Sequence, residues 1–387
     1  DTRRKAASDF TRALMQHFGQ TVTGIMEQHI AQYLSGYRSN PSQNWKQKDT
    51  AIYLLTSIAV GGSTQLHGVS SVNALIDVVQ FFSENVFSDL QAGSGGDVNP
   101  ILQVDAIKFL HTFRNQLTRE QRLSGLPLLV QHLESGNYVI CSYAAITIER
   151  ILFMKAPNST SQPLFSPEDV RPFAETILMA CFRTIMSGGS PEKIAENDHL
   201  MKCVMRLIIT SRQTLASVHA PILQQLTAIL AEIAKNPSNP KFSQFVFESI
   251  SALIRFVTEA NASTLASFEQ SLFGPFTTIL QNDVAEFTPF VFQILAQMLE
   301  KQAGTELPET YLGLLPPLLM PTLWEQRGNV PALVRLFQSF LARGSQTIIT
   351  NGQLDSIMGI YQRLISSRIN DTYGFELLQS VFKSIPE

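Results

Sequence analysis

Charge of either sign is scarce in these 387 residues: lysine and arginine number 29, aspartate and glutamate 32, and the formal net charge is -3. Without a basic excess there is no field to gather a polyanion, which argues against an electrostatically driven nucleic-acid binder. Cysteine is rarer still. Cys141, Cys181 and Cys203 are odd in number and far apart, so they exclude a disulfide framework and read as reduced, buried thiols of a cytosolic or nuclear protein. No basic segment followed by an apolar one opens the chain, and no uninterrupted apolar run reaches the roughly 18 residues of a membrane helix, so a soluble protein without membrane insertion is expected. The first residue is Asp1 rather than methionine, and the chain reads as a piece of a longer one.

The signatures of chemistry are missing as well. None of the seven histidines, His17, His29, His67, His111, His132, His199 and His219, pairs with another at i+4 around a glutamate, and no C-x-x-C occurs, so no zinc site is expected. Gly93-Ser94-Gly95-Gly96 lacks the Lys-Ser/Thr of a phosphate loop and reads as a flexible connection. Acidic residues are scattered singly, which leaves no acid/base set to nominate. The expectation is a protein that is not an enzyme, with no catalytic residues, no metal and no cofactor.

What is present is helix after helix. With 44% hydrophobic residues the chain can bury a large core, and its apolar positions recur at helical rather than strand spacing. The spacing predicts helices over 3–17 and 21–37, 45–60 and 72–90, 100–116 and 119–134, 138–154 and 167–186, and 193–212 and 219–235. It continues with 241–259 and 263–281, 284–301 and 309–320, 330–343 and 353–367, and a last helix over 372–384. In the second pair Val72, Leu75, Ile76, Val79, Phe82 and Val86 form one stripe, and a kink is expected at Pro275. First helices recur about every 45 residues, the period of HEAT and armadillo arrays. The predicted fold is all-α: a HEAT-repeat, armadillo-like, right-handed superhelical solenoid of antiparallel helix pairs. It is expected to be one continuous array over 1–387, of about eight to nine repeats, with no separate globular domains.

Candidate binding residues come from charge placement. Arg3-Arg4-Lys5 is the densest basic cluster, readable as a solvated first turn or as a surface for an acidic partner. Second helices carry more acids than bases, among them Asp77, Glu84, Asp89, Glu134, Glu168, Asp169, Glu175, Glu232 and Glu269. First helices lean basic, with Lys46, Lys48, Lys108, Lys202, Arg206, Arg255 and Arg335. Because the second helix of a HEAT pair usually lines the inner side, Glu84, Asp89 and Glu134 are candidate contacts for a basic protein partner.

Several stretches carry a more specific signal: Asp1-Thr2-Arg3-Arg4-Lys5-Ala6-Ala7, Asn44-Trp45-Lys46-Gln47-Lys48-Asp49, Phe113-Arg114-Asn115-Gln116, Leu280-Gln281-Asn282-Asp283-Val284, and Gly328-Asn329-Val330-Pro331-Ala332-Leu333-Val334-Arg335. Together they resemble the importin-α re-exporter family, the cellular apoptosis susceptibility proteins of the importin-β/karyopherin superfamily, and specifically the middle of that longer chain. The resemblance implies a nuclear export receptor that returns importin-α from nucleus to cytoplasm in a Ran-GTP-dependent complex. It implies a monomer that shuttles through the nuclear pore, with importin-α and Ran-GTP as partners and no nucleic acid. A HEAT scaffold such as a phosphatase regulatory subunit is the alternative that shares the period and the lack of catalytic residues.

Overall fold

The computed structural model describes residues 2–64, 68–93, 97–304 and 306–385. In chain order the elements begin with α1 (Arg3–Ser39), α2 (Trp45–Ala59) and an antiparallel hairpin, β1 (Val60–Thr64) with β2 (Gly68–Val72). Then come α3 (Val78–Phe81) and α4 (Phe87–Gln91), joined by a π-helical turn, followed by α5 (Pro100–Phe113), α6 (Arg119–Leu133), α7 (Tyr138–Phe153) and α8 (Pro167–Met186). Next are α9 (Pro191–Ile194), α10 (Asp198–Ser211), α11 (His219–Ile233), α12 (Pro240–Ala260), α13 (Leu265–Gln281) and α14 (Thr288–Glu300). Three short helices follow, α15 (Glu309–Leu312), α16 (Leu315–Leu318) and α17 (Pro321–Glu325), then α18 (Val330–Thr350), α19 (Leu354–Ile365) and α20 (Asp371–Ser384).

The chain divides into two compact units, the first made of residues 1–189 and 196–214, the second of 190–195 and 215–387. Within the first unit, first helices pack on first helices (α2 on α5, α5 on α7, α7 on α10) and second on second (α4 on α6, α6 on α8). The second unit repeats the scheme, with α12 on α14, α14 on α18 and α18 on α20 in one row and α11 on α13 in the other. This is the layering that covers the apolar stripe of each helix pair. In α12, for example, Phe242, Val246, Phe247, Ile250, Leu253, Ile254 and Val257 are all buried. Their i, i+4, i+8 spacing puts them on one face, and Phe247 stacks on Phe290 with ring centroids 4.8 Å apart.

Helix starts are set by short polar side chains. Asn99 Oδ1 accepts from Ile101 N at 2.9 Å just before Pro100, whose missing N–H falls where none is needed. Thr118 with Gln121, and Ser166 with Asp169, form reciprocal capping boxes at α6 and α8.

The structure departs from the expected helices where tertiary contacts outweigh spacing. Residues 3–17 and 21–37 are one helix, α1, bent at Phe18 (φ -129°, ψ 32°); a lone glycine after it weakens the helix without ending it. The helix expected over 72–90 begins only at Val78, because Asp77 Oδ1 accepts from Val79 N and Gln80 N and caps it there. Val72 therefore belongs to the hairpin, and Leu75 is 55% exposed. That hairpin is docked by Asn115 Nδ2, which donates to Val69 O at 3.0 Å. At Gly68 (φ 78°) an added Cβ would lie 2.7 Å from Arg114 Nη1, so both the backbone and the close approach require glycine.

The segment expected as one helix over 309–320 is broken into α15 and α16 at Pro316 and Pro317, and a separate short helix, α17, starts after it at Pro321. Conversely, α18 continues past 343 through a bend at Gly344, where Leu307 occupies the space that a side chain would need. Pro275 lies inside an uninterrupted α13. The three cysteines are free and buried.

Candidate partner-binding surfaces

The basic first turn of α1 is held by its own neighbours. Thr2 Oγ1 accepts from Lys5 N at 3.2 Å and caps the helix. Three cations at the positive end of a helix macrodipole are unfavourable, and nearby carboxylates offset them: Arg4 Nη2 donates to Asp49 Oδ2 at 2.6 Å and Lys5 Nζ pairs with Asp9 at 3.2 Å. The Arg4 guanidinium also lies 4.7 Å from the Tyr53 ring centroid. Arg4 thus clamps α1 to α2, while Arg3 is exposed.

The second-helix acids are engaged in different ways. Glu84 is exposed and accepts from Gln80 Nε2 at 2.9 Å. Glu134 faces Arg183 at 2.6 Å, with side chains 41% and 62% exposed. Asp89 is not a surface residue at all. Its carboxylate lies 2.8 Å from Lys48 Nζ, with side-chain exposures of 4% and 5%, which corrects the expectation that it faces a partner. Burial pushes the Asp89 carboxyl up, against the opposing pull of Lys48. Glu168, Asp169 and Glu232 are also paired, with Arg171, Arg119 and Lys235 respectively. Asp89, Glu134, Glu168, Asp169 and Glu232 are thus each paired with a cation of the same chain.

A polar cluster on the first helices was only half visible in the sequence. Glu149 of α7, 4% exposed at its side chain, lies 3.2 Å from Arg206, 3.5 Å from Arg150 and 4.0 Å from Lys202. Lys202 and Arg206 stand four apart on α10, so their shared face could be read in advance; their convergence on a carboxylate of another repeat could not. Among the described residues no group of three or more His, Cys, Asp or Glu side chains is placed to hold a metal, and no helix is long and apolar enough to cross a membrane.

The same face holds a carboxylate pair. Asp105 of α5 lies beside Asp49 of α2, and its buried Oδ2 has no donor among the described residues, so a hydrogen bond between the two carboxyls requires one of them to hold a proton. Burial, then the Asp49 charge, push the Asp105 carboxyl up to about 7, while Lys108 and Arg4 pull it down less strongly. Between the ordinary value of 3.8 and about 7 the folded state holds a proton that the unfolded chain has released. That contribution to stability is complete below the unfolded value and is lost as pH rises through about 7.

His111 acts with the opposite sign, since burial and then Arg114 hold it down to about 4, so its contribution grows with pH over nearly the same window. Comparing the wild type with Asp105→Asn separates the two. The variant is expected to be more stable by about 1–3 kcal/mol above pH ~7, with little gain near pH ~4. Urea denaturation across this range checks it, and parallel pH profiles would show that no proton is shared.

Antiparallel helices stacked in two rows within each unit define a HEAT-repeat protein. The chain belongs to the CAS/CSE family: the profile described as "CAS/CSE protein, C-terminus" matches residues 149–387, and that described as "Cse1" matches residues 1–148. It is 41% identical over 388 aligned residues to exportin-2 of Mus musculus and 38% identical over 382 to the importin-alpha re-exporter of Schizosaccharomyces pombe. These alignments cover 100% and 99% of this chain and 39% of each relative. A solved structure of the exportin Cse1 in its cargo-free, cytoplasmic state superposes with a TM-score of 0.84 at 38% identity, over 100% of this chain and 39% of that one. The chain thus spans about two fifths of the length of these relatives, which are named as transport receptors rather than enzymes.

Proposed function

We propose that this chain is the central HEAT-repeat segment of a nuclear export receptor that returns importin-α to the cytoplasm together with Ran-GTP. The observation that carries the reading is the whole-chain match to exportin-2 and to an importin-alpha re-exporter. The protein works by binding, without catalysis or a cofactor, and shuttles between nucleus and cytoplasm. Arg3, Arg4, Lys5, Glu84 and Glu134 are its candidate partner contacts; Asp89 is removed from that set by its burial. No observation favours the phosphatase-scaffold alternative.

The test uses the full-length receptor from which this segment comes, immobilised and offered nuclear extract. Importin-α should be retained when Ran loaded with a non-hydrolysable GTP analogue is supplied, and should wash off without it. Retention that ignores Ran, or no retention in either condition, would overturn the assignment.

A further inference from the structure

A cavity of about 460 Å³ opens in the first unit where the connection between α7 and α8 folds back over the C-terminal ends of α7 and α10. Its wall is a built structure: Leu164 N donates to Met154 O at 2.8 Å and Ala156 N to Gln162 O at 2.9 Å, closing residues 154–164 into a hairpin-like loop. Four cationic side chains line the cavity, Arg119, Lys155, Arg206 and Arg212, against a single carboxylate, Asp169. That carboxylate is already taken. It accepts from Ser166 N and Ser166 Oγ at 2.7 Å each and is paired with Arg119.

Three of the cations are held against aromatic rings. Lys155 Nζ lies 5.3 Å and the Arg206 guanidinium carbon 4.6 Å from the Phe153 ring centroid, and the Arg119 guanidinium carbon 5.8 Å from that of Phe165. Ring faces hold cations in place without neutralising them; of the three, Arg119 is paired with Asp169 and Arg206 with Glu149, while Lys155 donates to Ser161 O at 3.5 Å, so Lys155 carries most of the uncompensated charge. In a chain whose net charge is -3, this concentration of positive charge in a concavity focuses a field that an anionic group would relieve. Apolar side chains from Leu152, Phe153 and Ile209 share the lining. The volume lies in the range of built ligand sites, about 300–1,000 Å³, and suits a few residues of peptide better than one small anion.

We propose that this cavity binds an acidic peptide segment, carboxylate side chains meeting Lys155, Arg119 and Arg206 while an apolar neighbour rests on the Phe153 floor. The site is independent of the export reading, because it rests on geometry within one unit. Peptide carboxylates are favoured over a nucleic-acid backbone because the cations ring one concavity and form no continuous stripe.

The test is fluorescence anisotropy of the 387-residue chain with a fluorescein-labelled octapeptide of sequence EDLEEFDE, alongside its amide counterpart QNLQQFNQ. The acidic peptide should bind, the amide peptide should not, and affinity should fall as salt rises. Lys155→Glu should weaken binding at least about tenfold, the equivalent of one lost ion pair and one gained repulsion. Lys155→Gln, which keeps the stem, should weaken it less, and Lys241→Glu, the same charge change at an exposed residue of the second unit, should leave it unaltered. Circular dichroism establishes that each variant is folded. Equal binding of the amide peptide, equal effects of Lys155→Glu and Lys241→Glu, or full displacement by an equal concentration of inorganic phosphate would each overturn the proposal.

Discussion

Replacing Asp89 with alanine is expected to lower the unfolding free energy by about 3–5 kcal/mol, the cost of leaving one member of a buried ion pair alone. Lys48 reaches Asp89 from α2 with its Nζ 2.8 Å from the carboxylate, and both side chains are at most 5% exposed. The ammonium also sits 4.7 Å from the Tyr37 ring centroid, a contact that attracts it but cannot replace a carboxylate. Without Asp89 the ammonium must lose its proton, draw in water or stay buried and unpaired, and each of these costs stability. The sign reverses for the double variant Lys48→Met with Asp89→Leu, which removes both desolvation penalties and should lie within about 1 kcal/mol of wild type or above it. Chemical denaturation of the three proteins decides the matter. A single variant that loses less than about 1 kcal/mol would mean that the pair behaves as a solvated one.

The same pair marks how far the sequence can be read. The periodicity around Trp45 placed α2 within a residue, because an apolar stripe at Ala51, Ile52, Leu55, Ile58 and Ala59 records which face is covered. It could not reveal that Lys48 and Asp89, each in a segment that reads as solvent-facing, would meet in the interior. Their partnership is long-range, and charged residues carry no periodic mark of burial.

A tryptophan is legible as a core residue from its type alone, and Trp324 is 3% exposed with Nε1 donating to Leu318 O at 2.9 Å. The hairpin was not. Residues 61–71 fall between two predicted helices and read as a plain connection, whereas the paired strands are docked by Asn115, 46 residues beyond Val69. Residues 155–166 fall between two predicted helices, but the cation-lined cavity that this connection builds requires α10 to be in place. Local capping, period and punctuation are written in the sequence, whereas sites made by juxtaposing repeats are written only in their packing.

The largest functional effect should appear when this 387-residue chain is compared with the whole receptor. Each helix pair packs mainly on its neighbours in sequence, so stability is local and the chain should fold by itself. Binding is not local under the proposed function: the resemblance implies that importin-α and Ran-GTP are held by repeats far apart along the receptor, and this chain covers 39% of its relatives. Dividing such a grip makes the second contact intermolecular again and removes its effective concentration, which can lower avidity by about 10²- to 10⁴-fold with every retained contact unchanged. Isothermal titration of importin-α into the chain should therefore show binding weaker than the full receptor's by that order, with almost no response to Ran-GTP. Full-receptor affinity, or strong enhancement by Ran-GTP, would instead place the switch within these middle repeats, and the first residues to reverse would then be Glu84 and Glu134, whose side chains are exposed enough to meet a partner.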